Sequence, residues 1–155
     1  MTALHIACAG TGPKPMLDLL IAHKADVDAA DKDGWTPIMY ASSAGQLSLV
    51  ETLVEAGATV NAQADMGWTA LSRAALKGHT AIVEALLGVG ACPEVPDAGN
   101  GLTAVQHAAA QDHTAIVKAL SGSHAAPAAA VEPLAEPGSS TAAPVAATCV
   151  PDVGR

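Results

Sequence analysis

The hydrophobic positions of this chain form a pattern that returns at near-constant intervals. A six-residue window that begins with threonine and ends with alanine occurs at 2–7, 36–41, 69–74 and 103–108, so successive copies lie 34, 33 and 34 residues apart. A loop signal and a second apolar run follow each window. Self-similarity at a fixed interval of this length predicts a repeat protein in which each unit is one small supersecondary element.

The second apolar runs predict helices with one buried face. Their apolar side chains follow the spacing i, i+1, i+4, i+5, which places them on one side of a helix. These runs lie at 16–21, 49–54, 82–87 and 116–120. Gly57 and Gly90 follow the second and third runs by three residues, where a left-handed glycine ends a helix without a side-chain clash. We expect Leu53 and Leu86 to be buried at equivalent places in successive layers.

Each unit therefore consists of a turn, a helix, a loop and a second helix. A single pair of helices cannot bury its apolar face alone, so neighbouring units must stack to form a core. The pattern predicts an all-α solenoid of helix-turn-helix units joined by finger-like loops over residues 1–121. The predicted repeats are approximately 1–33, 34–66, 67–100 and 101–121.

These residues resemble the ankyrin-repeat family. The family motif T-P-L-H-x-A is matched closely at 2–7 and partly at 36–41, and the finger motif G-A-x-V-N-A stands at 57–62. The resemblance implies that the motif histidine hydrogen-bonds backbone between neighbouring repeats. Only His5 keeps it, because Met39, Ser72 and Gln106 stand at the other three positions. Weaker polar links between repeats are therefore expected.

The periodic pattern stops near Ser121, and the remaining segment 122–155 is rich in alanine and proline. Backbone ordering costs about 1–2 kcal/mol per residue, and short alanine side chains bury too little surface to offset that cost. We expect a disordered segment over 122–155 that is a linker or a low-complexity tail.

Charge narrows the possible partners. Fifteen acidic residues against seven basic ones give a formal net charge of −8, which disfavours nucleic acid and favours a protein with a basic patch. No apolar stretch reaches the roughly 20 residues that span a bilayer, so no membrane role is predicted. The three cysteines are odd in number and far apart, which indicates no disulfide framework and favours the cytoplasm or nucleus. We expect the chain to be a monomer.

Candidate chemistry occurs only at isolated positions. Asp112 and His113 stand where the repeats carry a loop Gly-His, as at Gly78 and His79, so a structural role explains His113 better than a catalytic one. The six histidines show no ligand spacing beside a cysteine. We therefore predict no catalytic activity, no cofactor and no metal site.

The resemblance implies that the fingertips and the exposed side of each first helix form a concave binding face. Trp35 and Trp68 are the strongest candidates, because aromatic anchors often dominate interfaces, although each indole could instead pack across neighbouring fingers as part of the fold. The predicted contact residues in the fingers are Lys32, Asp33, Trp35, Asp65, Met66, Trp68, Asn100 and Leu102. Those on the helices are Ser43, Ala44, Leu76, Lys77, Ala110 and Gln111.

The function that the sequence favours is a non-catalytic protein-protein interaction module. Two alternatives remain open. The repeats could be a fragment, or a targeting or regulatory module, of a larger protein. The chain could also be similar to the ankyrin-repeat chaperones of proteasome assembly, because residues 2–8 and 31–35 resemble their early repeats.

Overall fold

The computed structural model describes residues 2–10 and 13–131, with side chains up to residue 122. Every regular element in these residues is a helix, which confirms the all-α prediction. The helices are α1 Ala3–Ala9, α2 Lys14–Ala22, α3 Pro37–Ala44, α4 Leu47–Glu55, α5 Ala70–Lys77, α6 Thr80–Gly88, α7 Ala104–Ala110 and α8 Thr114–Val131. Each motif threonine at 2, 36, 69 and 103 stands at the N-cap of a first helix.

The helices form two layers. The first helices α1, α3, α5 and α7 pack side by side in chain order, and the second helices α2, α4, α6 and α8 form a parallel row behind them. Leu53 and Leu86 are both 0% exposed within this single core, as the repeat pattern predicts. Ala41, Ala74 and Ala108 are also fully buried, because the small motif alanine lets neighbouring first helices approach closely.

Left-handed glycines end the inner repeats' second helices as predicted. Gly57 and Gly90 both have φ +89, and the N–H of Ala58 reaches back to the Leu53 carbonyl oxygen at 2.9 Å. This bond satisfies a carbonyl that the end of the helix would otherwise leave free.

Tight turns close the fingers and stack on one another. The N–H groups of Asp31 and Ala64 donate to the carbonyl oxygens of Trp35 and Trp68, each at 2.9 Å, and Asp97 donates to Leu102 at 3.0 Å. The three residues therefore occupy one equivalent turn position. Adjacent fingers are joined through backbone, because the N–H of Asp65 donates to the Asp33 carbonyl oxygen at 3.2 Å.

We expected few polar links between repeats, and this holds for the first helices but not for the loops. His5 Nδ1 accepts a hydrogen bond from the Thr2 N–H at 2.9 Å, so Nε2 carries the proton and donates to the Trp35 carbonyl oxygen at 2.8 Å, in the next repeat. Ser72 and Gln106 bond only within their own caps. The loops carry further links, which pattern reasoning did not predict: Asp28 accepts from Thr59, and Asn61 accepts from the Cys92 N–H.

The last helix continues beyond the boundary at residue 121, because α8 extends to Val131. The rest of the predicted tail, 132–155, lies outside the described residues, and the boundary itself stays a prediction. Across the part of the chain that is described, no helix combines the length and apolarity needed to cross a bilayer. Cys92 is disulfide-bonded, which the cysteine spacing did not predict.

Candidate protein-binding face

The predicted contact residues lie on the fingers and near the C-terminal ends of the first helices, a surface that we call the inner face. Most are exposed: Lys32, Asp33, Ala44, Asp65, Met66, Lys77, Asn100, Ala110 and Gln111. Met66 is 55% exposed, a high value for a large apolar side chain. The remainder are half-buried: Trp35, Ser43, Trp68, Leu76 and Leu102. The inner face thus offers free polar and apolar side chains in three successive repeats.

Trp35 and Trp68 lie on either side of one arginine. The guanidinium carbon of Arg73 is 4.8 Å from the Trp35 ring centroid and 4.9 Å from the Trp68 ring centroid. Both indoles also pack against the core. A cation between two aromatic faces is stabilised by their quadrupoles, so the tryptophans link neighbouring repeats while keeping part of their surface free.

Arg73 belongs to a set of equivalent residues, each of which stands between the motif histidine position and the motif alanine. The set comprises Ile6, Tyr40, Arg73 and His107. The Tyr40 and Trp35 rings have centroids 5.2 Å apart, and the His107 and Trp68 centroids are 4.8 Å apart. A row of ring and guanidinium groups therefore crosses the last three repeats. Sequence reasoning missed this row, although comparison of the four motif copies at this position could have revealed it.

Two members of the row are each paired with a carboxylate from their own finger. The Tyr40 hydroxyl donates to Asp31 Oδ2 at 2.7 Å, and His107 Nε2 lies 2.6 Å from Asp97 Oδ2. In the finger between them the equivalent turn residue is Ala64, which has no carboxylate. Arg73 consequently forms no ion pair with any described residue.

The hydrogen bonds of Arg73 are few. Its Nη2 donates to Ser43 Oγ at 3.4 Å, and its Nε is buried without any hydrogen-bond partner. Burial lowers the pKa of the guanidinium, but arginine remains charged at any physiological pH. The inner face therefore holds a partly desolvated cation with one buried donor, the Nε–H of Arg73, that has no hydrogen-bond partner.

The paired carboxylates are stabilised in their charged form. Burial alone would raise the pKa of Asp97, but hydrogen bonds from the Asn100 N–H, the His107 ring and the Gly101 N–H outweigh it and leave that pKa below its ordinary value. The same balance lowers the pKa of Asp31. The bond to Asp31 raises the pKa of Tyr40 to about 12, so its hydroxyl stays a donor at neutral pH.

The groups that could support catalysis or bind metal lie apart. Burial raises the pKa of the Cys8 thiol to about 11, so it is protonated and unreactive at neutral pH. The His79 and His113 rings pack against Gly45 and Gly78 of the preceding repeats, which is the structural role assigned to this loop position. Within the described residues, no group of three histidine, cysteine or carboxylate side chains could hold a metal ion.

Comparison with known proteins gives one family. A family model described as ankyrin repeats, in three copies, matches residues 1–64 and 61–131. No curated protein matches the chain in sequence. The match covers every helix described above.

Proposed function

Because the chain belongs to the ankyrin-repeat family, whose members generally bind other proteins, we propose that it holds a partner protein on the inner face and performs no catalysis of its own. The observation that carries this proposal is the row in which Arg73 lies between Trp35 and Trp68. Aromatic and arginine side chains contribute most to binding when they lie near the centre of an interface.

The exposed fingertips suit a partner of mixed character. Asp33 and Asp65 are exposed carboxylates on successive fingers, and they would attract a basic patch on the partner. Met66, on the same finger as Asp65, adds an adaptable apolar contact. A monomer is sufficient for this function, because the inner face lies within one copy of the chain. The compartment, cytoplasm or nucleus, stays a prediction from the sequence.

A pull-down tests the inner face. We expect Trp35→Ala/Trp68→Ala to lose the partners that the unmodified chain captures, whereas Leu19→Ala/Val89→Ala, which removes exposed apolar side chains from the second-helix layer, keeps them. Circular dichroism checks that each variant is folded. Since the tryptophans also support the core, Met66→Ala/Lys77→Ala provides a second test at exposed positions. Unchanged capture by both folded inner-face variants would rule out this surface.

A second candidate, that the repeats form one module of a larger protein, is favoured by the first two helices. Ile6, Met16 and Leu19 are 62%, 43% and 59% exposed, and another packed segment would cover such side chains. Coding sequence that continues upstream of Met1 in frame would support this candidate, and an upstream stop codon would exclude an N-terminal extension. Similarity to proteasome-assembly chaperones would predict co-purification with a proteasomal ATPase.

A further inference from the structure

We propose that Arg73 is the site at which the inner face binds an acidic side chain, Asp or Glu, of the partner protein. This inference rests on the proposed function and adds the chemistry of one contact to it. Three equivalent residues of the row, Tyr40, Arg73 and His107, differ in whether a carboxylate pairs with them.

In the second and fourth repeats, the finger supplies a carboxylate to the residue that follows the motif histidine position. Asp31 accepts from Tyr40 at 2.7 Å, and Asp97 lies 2.6 Å from His107. The third repeat has Ala64 at that place in the finger. The residue with a permanent positive charge, Arg73, is therefore the one whose finger offers no negative charge.

The carboxylates of this face are confined to the fingers, where Asp31 and Asp97 are already paired and Asp33 and Asp65 are exposed. None of the four first helices contains an aspartate or glutamate, although the chain as a whole carries a net charge of −8. Lys77 lies one turn beyond Arg73 on the same helix and adds a second positive charge. The acidic residues of α2, α4 and α6 are all in the second-helix layer: Asp18, Glu51, Glu55 and Glu84.

The geometry selects a carboxylate. A guanidinium presents its donors as a planar fork that matches the two oxygens of a carboxylate, and a bond to a charged group is stronger where water is partly excluded. The guanidinium carbon lies over both indole rings, so a carboxylate would reach the guanidinium where the rings leave its donors open. The indoles then flank the aliphatic part of the incoming Asp or Glu side chain.

The test uses a defined probe and the full-length chain. Blocked glutamate, N-acetyl-glutamate N-methylamide, is titrated at constant ionic strength into 15N-labelled protein, and blocked glutamine is the isosteric neutral control. The two tryptophans and two arginines give few indole N–H and arginine Nε–H signals, so Arg73 can be followed directly. We expect saturable shifts of the Arg73 and both indole signals with glutamate and none with glutamine.

Two variants sharpen the result. Arg73→Gln should lower the affinity for blocked glutamate by about ten-fold or more, since a hydrogen-bonded charge contributes about 1.5–3 kcal/mol. Ala64→Asp should also abolish binding, because the new carboxylate takes the place that Asp31 and Asp97 occupy in their fingers. Equal shifts with glutamate and glutamine, or unchanged glutamate affinity in either folded variant, would overturn the proposal. Tighter binding of inorganic phosphate than of glutamate would overturn it as well.

The titration tests the Arg73 contact and the pull-down tests the inner face, so a negative result in one does not imply a negative result in the other. The titration needs no partner protein, so glutamate binding together with unchanged capture by the inner-face variants would sink the proposed function and leave the Arg73 site standing. Loss of capture without glutamate binding would instead support the inner face and reject this contact.

Discussion

The pair formed by Asp97 and His107 is a buried contact within the fourth repeat, one residue beyond the position of the missing motif histidine. The two side chains are 3% and 4% exposed, and the Asp97 carboxylate also accepts from the N–H groups of Asn100 and Gly101 at 2.5 and 3.0 Å. Three donors therefore converge on a carboxylate that water scarcely reaches. The finger of the fourth repeat is held to its first helix through this one group.

Acid should release this contact. The pKa of Asp97 is lower in the folded chain than its ordinary value of 3.8, so the unfolded chain binds the proton more readily. The stabilisation is thus fully present above pH 3.8 and is lost as the pH falls through the lower, folded value. We expect urea denaturation between pH 7 and pH 3 to show a falling free energy of unfolding in the unmodified chain and a smaller fall in Asp97→Asn. Exposed Asp18→Asn is the control, and identical acid limbs for Asp97→Asn and the unmodified chain would contradict this assignment.

Helix ends explain much of what the sequence predicts well. Glycine at 57 and 90 carries the left-handed conformation at the end of a second helix, and glycine at 45 and 78 does so at the end of a first helix. Each of these glycines follows an apolar helical run, so the local sequence is enough to predict the end of the helix. Helix existence and buried faces could therefore be predicted from spacing alone, and Leu53 and Leu86 confirm it.

The first and last repeats depart from this rule. Lys24 stands where Gly57 and Gly90 stand in later repeats, and Asp112 stands where Gly45 and Gly78 stand; both have φ +58. A left-handed conformation costs an ordinary residue about 1–2 kcal/mol, although aspartate tolerates it better than lysine does. The end of α2 therefore carries a backbone strain that glycine avoids at the ends of α4 and α6.

Replacing Lys24 with glycine should stabilise the chain. The strain of about 1–2 kcal/mol is relieved, and the greater freedom of glycine in the unfolded chain returns about 0.5–1 kcal/mol of that gain. We expect the free energy of unfolding to rise by about 0.5–1 kcal/mol in urea denaturation. Gly57→Ala, at the equivalent helix end, should have the opposite sign and cost about 1 kcal/mol. Destabilisation by Lys24→Gly would contradict the strain assigned to this position.

Contacts between repeats were harder to predict, because they depend on how the units stack. Arg73 gives no local signal, yet stacking places it between tryptophans from two repeats. Whether a finger carries Asp31, Ala64 or Asp97 matters only once that finger faces its own first helix. The inner face could be expected from the resemblance, and the row could be found by comparing the motif copies, whereas the place of Arg73 between two tryptophans required the three-dimensional register.

The stack as a whole depends on links that recur with the repeat. Asp28 and Asn61 occupy the same finger position in successive units, and each binds the residue 31 positions later: Thr59 N–H donates to Asp28 Oδ1 at 2.7 Å, and Cys92 N–H donates to Asn61 Oδ1 at 2.8 Å. Asp28 Oδ2 also accepts from the Thr59 hydroxyl at 2.8 Å. In a solenoid, stability is a sum of unit terms and nearest-neighbour terms, so these bonds belong to the neighbour terms.

Removing these hydrogen bonds should therefore lower the interaction free energy between neighbouring repeats more than the stability of each repeat. We expect Asp28→Ala and Asn61→Ala each to lower the free energy of unfolding by about 1–3 kcal/mol and to broaden the urea transition, because partly unfolded stacks become populated. Hydrogen exchange should accelerate at the N–H of Thr59 in the first variant and of Cys92 in the second. Asp26→Ala removes an exposed carboxylate that bonds only within its own loop and should change stability by less than about 0.5 kcal/mol. Faster exchange without any loss of stability would show that the neighbour terms come from the helices alone.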